Sequence, residues 1–400
     1  GTVSRMGGGT FNAEREASVL VVEPDGSQWT QVVPKADGSF SARVPSGKTY
    51  SVEVHAFGRK QVERQFANVS TDTDLGAFEL PATGAATFHV RGPLGGGLDA
   101  ELFLVPQNAD EASKVVGTLH GRSYTCAPWL GAPMGASPAC NRVLVHNGTA
   151  TAEVPLGKYD IFAFHGPFWS LGKQEVDFTV DQTIDFTLTP IPNLKPTGAL
   201  AADLHVHGAR SFDSSIPDED RVLSFAASNL DVIIGTDHDV IGDYSATVQS
   251  LGLQDTLSAV WGLETTGHIP FLMVPGYGFP LVIGHYNFWP LTYDPSKPRN
   301  GGPFDERVEP GTLFSRMEFA GEPVIELNHP WADPEFGRDL GFPRAIFLDL
   351  RKNLPANDDG TRQGFYTHTP EGSKFANDAH HAQEVMNGSQ NDLLLQYRAF

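Results

Sequence analysis

Cysteine is scarce in this 400-residue chain, with only Cys126 and Cys140 present. That excludes a disulfide-dense scaffold and any site built from clustered thiolates. The two flank a stretch at 127–139 rich in Pro, Gly and Ala. The placement favours one disulfide, and with it an oxidising compartment, over two free thiols. Basic residues are also few, 28 Lys and Arg against 48 Asp and Glu, for a net charge of -20. An acidic chain repels phosphate backbones, so nucleic acid is excluded as a partner, while cations would be drawn to its carboxylates. No apolar run is long enough to cross a bilayer as a helix. A basic segment followed by an apolar one, the mark of a signal peptide, is missing from the start. The chain opens at Gly1 and not at Met, as expected if a leader was removed or left out. What remains is a globular composition, 40% hydrophobic and 19% charged, long enough for two or three domains.

Up to about residue 190 the pattern is β. Ser18-Val19-Leu20-Val21-Val22 is short, β-branched and bounded by turn residues. Asp25-Gly26 and Asp37-Gly38 read as hairpin turns. The segment 37–45 alternates inward and outward residues and stops at Pro45. Gly38-Ser39-Phe40-Ser41-Ala42-Arg43-Val44-Pro45-Ser46-Gly47-Lys48 is echoed by Gly148-Thr149-Ala150-Thr151-Ala152-Glu153-Val154-Pro155-Leu156-Gly157-Lys158, and each copy is followed by a tyrosine, Tyr50 or Tyr159. A strand, a Pro-x-Gly turn and a return strand used twice imply two modules, at 1–83 and 84–190. A proline-rich link follows at 191–197 and separates them from a third region at 198–400.

In the third region the period changes. Val232-Ile233-Ile234 is apolar throughout, as expected of a parallel strand covered on both faces. Pro217-Asp218-Glu219-Asp220 opens a helix, with Leu223, Ala226, Ala227 and Leu230 on one face. Further strands are predicted at 202–207, 259–263, 281–283, 324–327 and 383–386, and a helix at 310–320 ended by Gly321. Alternating β and α predicts a β/α barrel or an open α/β sheet.

The polar residues fall at the ends of these strands. Asp203-Leu204-His205-Val206-His207 places His205 and His207 on one strand face. Asp237-His238, Glu264, His285 and Asn328-His329 close four further apolar runs. One such histidine is ordinary core. Several at successive strand ends, each needing buried partners, point to metal ligands meeting at one rim.

On these motifs the region from about residue 198 resembles the PHP (polymerase and histidinol phosphatase) family of metallohydrolases, and within it the carbaryl-hydrolase-like branch. The matching segments include Gly262-Leu263-Glu264, Gly284-His285-Tyr286-Asn287, Asn328-His329-Pro330 and Glu384-Val385-Met386-Asn387-Gly388. The two N-terminal segments resemble carboxypeptidase-regulatory-like β modules, which support or target an enzyme and leave a cell-surface or glycan contact open. The resemblance implies an α+β multidomain chain: two β-sandwich modules, then a distorted (β/α)7-type PHP barrel truncated at its C-terminus. It also implies two or three divalent metal ions. His205 and His207 would hold one, Glu264 would bridge, His285 and His329 would hold another, and His238 would serve a further position. Asp213 is a ligand or a polar loop residue, and Asp237 a ligand or a group orienting a histidine. His268 competes with His285, which is preferred for ending a strand within the Gly-His-Tyr-Asn match. The family's late Asp-x-His has its spacing at Asp378-Ala379-His380, which precedes Glu384 and reads as a surface loop; the expected counterpart would lie past Phe400. Glu384 and Asn387 read as strand-end anchors and not as ligands.

Imidazole and carboxylate without thiolate favour zinc, manganese or iron. No catalytic residue beyond the ligands is assigned. Arg210 either holds an anionic substrate oxygen or forms a surface ion pair. The expected activity is hydrolysis of a small-molecule phosphoester by a metal-activated water. Hydrolysis of a carboxylic ester or carbamate is the alternative, with Phe212, Tyr286, Phe288, Trp289 and Trp331 packing an apolar group. A binding protein that works through its β modules is a third reading. The expected location is secreted or periplasmic.

Overall fold

The computed structural model describes residues 1–400 apart from 6–12, 57–61, 81, 112–140, 215, 274–279, 283–284, 307, 309, 318–320, 330–347, 350–353, 356–378 and 385–400. Cys126 and Cys140, Trp331, Asp378 and Asn387 lie outside the described residues. Two compact units divide the chain: residues 1–199 with 219–230, and residues 200–218 with 231–400.

The first unit opens with β1 (Thr2–Arg5), β2 (Ala17–Val22), β3 (Gln28–Val32), β4 (Lys48–Ala56), β5 (Val62–Val69) and β6 (Ala77–Leu80). An antiparallel sheet runs β3-β2-β4-β5, and β1 pairs with β6 in parallel. Val19 and Val21 alternate inward with Val52 and Val54, and they bury against Phe78 and Leu80. Gly26 closes the predicted turn between β2 and β3 at φ 86°, a left-handed backbone that glycine adopts without strain. The predicted strand at 37–45 forms no ladder beyond a bridge from Ser39 to Thr2, although Phe40 still points into the core.

Next come β7 (Thr83–Arg91), β8 (Ala100–Pro106), β9 (Arg142–Val145), β10 (Thr149–Pro155), β11 (Gly157–Phe164), β12 (Gly172–Phe178) and β13 (Gln182–Thr187). They form two sheets, ordered β10-β7-β13 and β12-β11-β8-β9. Phe88, Leu102, Leu104, Ile161 and Phe178 fill the core that they share. Burying each such side chain stabilises by about 1.5–3 kcal/mol. The internal repeat has a structural counterpart. Tyr50 Oη donates to the Pro45 carbonyl at 2.7 Å, and Tyr159 Oη to the Pro155 carbonyl at 2.8 Å. In both copies the return strand is pinned to the turn that precedes it. The helix Asp218–Ala227 buries Val222, Phe225, Ala226 and Ala227, and residues 219–230 cluster with this unit.

The second unit holds β14 (Ala202–Val206), β15 (Val232–Gly235) and β16 (Ser258–Trp261), a parallel three-stranded sheet in that order. After Gly262 the chain enters a second sheet, with β17 (Leu263–Thr265), a hairpin of β18 (His268–Met273) and β19 (Pro280–Val282), then β20 (Tyr286–Trp289) and β21 (Val324–Leu327). A short hairpin of β22 (Leu348–Asp349) and β23 (Leu354–Pro355) precedes β24 (Ala382–Gln383). The second sheet is ordered β17-β20-β21-β24. Leu263, Tyr286, Phe288, Ile325 and Leu327 pack with Leu313, Phe314 and Met317 of the helix Pro310–Met317.

The expected (β/α)7 barrel is overturned. Among the described residues no sheet closes on itself, and in this unit only Ser245–Ser250 and Pro310–Met317 are α-helical besides the start of Asp218–Ala227. β17 and β20 pair antiparallel, as do β20 and β21, which a repeated strand–helix–strand crossover does not produce. The apolar runs misled for a physical reason: a strand buried on both faces loses its alternation whichever way its neighbour runs.

Candidate metal centre

The centre is built around Glu264, in the middle of β17, whose side chain is fully buried. Burial would push its carboxyl up, but the charge of His285 and hydrogen bonds from His205, His207 and His285 hold it well below the usual range. Five imidazoles surround it. Oε1 lies 3.0 Å from His285 Nδ1 and 3.3 Å from His329 Nε2. Oε2 lies 3.1 Å from His207 Nε2, 3.1 Å from His238 Nδ1 and 3.4 Å from His205 Nε2.

Strand register explains the convergence. His205 lies in β14, His207 follows its end, and β15 lies beside β14 and leads into Asp237-His238. A parallel bridge joins His238 to Glu264. His285 arrives differently from the predicted strand end: it immediately precedes β20, which runs antiparallel to both neighbours. Thr265 therefore faces Tyr286, Tyr286 faces Leu327, and the start of β20 shares an edge with the ends of β17 and β21. The Asn328 N–H donates to the His285 carbonyl at 3.1 Å, which holds His329 at that edge.

Each ligand type has a supporting partner. His205 Nδ1 is 2.9 Å from Glu384 Oε1, and His207 Nδ1 is 2.8 Å from Ser211 Oγ. His238 Nδ1 contacts Thr266 Oγ1. The Thr266 N–H is shared by Asp239 Oδ1 and Asp305 Oδ2, each at 3.0 Å. Asn328 Nδ2 reaches Glu264 Oε1 and Asn287 Oδ1. Burial lowers the His205 affinity for protons, yet the hydrogen bonds its ring donates to the Glu264 and Glu384 carboxylates win and raise its pKa to about 10. Burial instead dominates at His238, which is pushed down to about 4. His285 is likewise lowered by burial.

The other sequence candidates fall outside this ring of donors or at its rim. Asp213 is half-exposed, with Oδ1 3.4 Å from His207 Nδ1 and Oδ2 3.4 Å from His238 Nε2. Burial opposes its ionisation, but Ser211, His207 and His238 keep it below the usual carboxylate range. Asp237 is buried, accepting from Gly208 N–H at 2.7 Å and from the Tyr244 hydroxyl at 3.4 Å. It braces the loop after β14 and does not join the donor clusters. Arg210 is engaged by Asp218, through Nη1 at 3.1 Å and Nη2 at 2.6 Å, and donates to the Asp243 carbonyl at 3.2 Å. His268 opens β18 with its backbone opposite Val282, and the preferred His285 has its Nδ1 3.0 Å from Glu264 Oε1. Ser211, Thr266 and Asn328 were not assigned roles from sequence, and Glu384 was read only as a strand-end anchor. The signal for Asn328 was its position, a polar residue closing a buried strand.

The donors fit divalent cations. Two groups have ligand atoms all within 4.8 Å of one another: His205, Glu264 and His329, and His207, His238 and Glu264. Metal–ligand bonds of about 2.1 Å in a tetrahedron place donors about 3.4 Å apart. The Glu264–imidazole separations of 3.0–3.4 Å are of that size. Glu264 Oε2 is also buried, with imidazole nitrogens of His205, His207 and His238 facing it at 3.1–3.4 Å.

No protein-family model matches the chain, and no curated protein matches it. Among solved structures, it is similar to the Bacillus anthracis TIE protein at 12% identity and a TM-score of 0.20, covering 47% of this chain and 33% of that one. It is also similar to the major pilin subunit of Bacillus cereus at 14% identity and a TM-score of 0.19, covering 45% and 61%. A streptococcal ancillary pilin matches at 10% identity and a TM-score of 0.22, covering 48% and 61%. The chain thus spans between a third and three-fifths of the length of these proteins. Scores this low decide nothing about the fold or the site. The expected description as a PHP-barrel phosphoesterase is corrected by the open sheets described above, with which only its β-sandwich part agrees.

Proposed function

We propose that the protein is a metal-dependent hydrolase of ester bonds. His205, Glu264 and His329 would hold one divalent cation, and His207, His238 and Glu264 a second. The observation that carries this reading is the sharing of one buried carboxylate by both donor groups. The nitrogen and oxygen donors suit zinc, manganese or iron. Cations bound there would polarise the scissile group and make water acidic enough to attack it near neutral pH. The sequence likeness of residues 203–207, 262–264 and 328–330 to metallohydrolases supports hydrolysis as the reaction class.

The chain's own residues hold and orient. Ser211, Thr266 and Glu384 fix the imidazoles. Asp213, ionised and half-exposed, orients His207 and His238 from the open side. Phe212 is 75% exposed, with its ring stacked on His238 at 4.5 Å between centroids. An exposed aromatic beside the donors favours a carboxylic ester or carbamate with an apolar group as the second reading. The phosphoester reading loses its anion clamp, because Arg210 is already paired with Asp218.

The test is a paired assay of the metal-loaded protein on nitrophenyl phosphate against nitrophenyl acetate and a naphthyl carbamate. His205→Ala and Glu264→Ala should lose both metal and activity. A protein that holds metal but turns over none of the three, while binding glycan through residues 1–190, would favour a binding role instead. A secreted or periplasmic location, with surface contact through the β modules, belongs to the same proposal and rests on their composition and the two cysteines. No helix among the described residues is long and apolar enough to cross a membrane.

A further inference from the structure

Glu384 lies 179 residues beyond His205, yet its Oε1 stands 2.9 Å from His205 Nδ1. Its Oε2 accepts the backbone N–H of His329. The pairing of β24 with β21 makes this possible. The two strands run parallel, and the Glu384 N–H donates to the Leu327 carbonyl at 2.9 Å. Glu384 therefore stands beside the point where β21 ends and the chain turns through Asn328 to His329. His329 adopts φ 22°, in the left-handed region that non-glycine residues seldom enter. A backbone held there needs something to hold it, and the Glu384 carboxylate is bonded to that N–H.

A carboxylate only accepts. The proton between Glu384 and His205 must therefore sit on Nδ1, so Nε2, which faces Glu264 Oε2, is the ring nitrogen that would be left to bind a cation. One carboxylate thus fixes the tautomer of one histidine and the backbone of another, and these two belong to the same donor group. The second group has separate supports, Ser211 on His207 and Thr266 on His238.

We propose that Glu384 is a positioning residue that sets the cation position formed by His205, Glu264 and His329 and leaves the other position intact. This rests on the metal-site reading above. The test is metal stoichiometry and affinity of the full chain, by elemental analysis after dialysis and by competition with a chromophoric chelator, with zinc and manganese in turn. Wild type should take up two equivalents. Glu384→Ala should hold one at near wild-type affinity and bind the other about 10–100-fold more weakly. Glu384→Gln keeps an acceptor oxygen for one of the two N–H groups and should recover part of the loss. Should Glu384→Ala fail to fold, Glu384→Gln carries the same comparison, with melting temperature as the folding check. Two equivalents at unchanged affinity in the folded variant would overturn the role of Glu384 and leave the metal site standing. Equal weakening of both positions would overturn its selectivity. Fewer than two equivalents in wild type would overturn the site itself.

Discussion

Asn328 Nδ2 donates to Glu264 Oε1 at 2.7 Å and to Asn287 Oδ1 at 2.9 Å, so one buried amide fixes the orientation of the central carboxylate. Hydrogen bonds to charged groups contribute about 1.5–3 kcal/mol, and a buried partner left unpaired costs a similar amount. Asn328→Ala should therefore lower the unfolding free energy of the metal-free protein by about 2 kcal/mol. Urea titration measures this, and a change within experimental error would remove Asn328 from the account.

The two tyrosine clasps should behave alike. Tyr50→Phe and Tyr159→Phe each keep the ring and remove the hydroxyl that reaches a proline carbonyl. Burial pushes the Tyr159 hydroxyl up, so it stays a donor at any working pH. Each substitution should cost about 1 kcal/mol, read as a lowered melting temperature. A silent Tyr159→Phe would show that the Pro155 carbonyl finds another donor.

His165 gives a dependence on pH. Burial lowers its pKa from the ordinary 6.5, and its ring packs edge-on against Trp169 at 4.8 Å. A histidine with a depressed pKa stabilises the fold while neutral. Its contribution is complete above the unfolded value of 6.5 and is lost as pH falls through it toward the folded value. Between about pH 7.5 and about pH 5.5 the wild type should lose more unfolding free energy than His165→Gln. Equal losses in the two proteins would rule the group out.

Arg210 and Phe212 are separable by kinetics. Arg210→Ala removes a two-pronged ion pair that is about a third exposed, so the expected effect is about 1 kcal/mol of stability with little change in KM. Phe212→Ala should raise KM for an apolar ester and spare a small one. A rise in KM for phosphate substrates in Arg210→Ala would return that side chain to substrate binding.

Gly262 joins the two sheets of the second unit. A Cβ there would sit 2.8 Å from the Phe288 carbonyl oxygen and 3.1 Å from that of Gly235. Both neighbours are backbone, so Gly262→Ala must displace β17 and carry Glu264 with it. Metal affinity should fall together with melting temperature. A variant that melts normally and binds metal normally would show that the strand has room to yield.

The gathering of these side chains was legible because imidazoles and acids closing apolar strands are conspicuous: His205, His207, His238, Glu264, His285 and His329 do come together, while Asp213 stays at the rim and Asp237 joins neither donor group. The architecture was not legible. Tyr286–Trp289 is buried on both faces, and its residues carry no mark of strand direction. Arg210 pairs with Asp218 through a loop whose path the sequence does not set. Glu384 was visible as a strand-end acid, but its contact with His205 depends on β24 lying beside β21, a pairing across more than fifty residues.

Glu264 belongs to both donor groups, and under the proposed reading that has a consequence for loading. A carboxylate shared by two cations would give up donor strength to each, while its imidazole neighbours would already be drawn into place by the first. Whatever effect filling one position would have on the other must be reciprocal, the same factor whichever is filled first. Uptake of cations should then depart from independent-site behaviour, and losing the shared group should empty both positions at once.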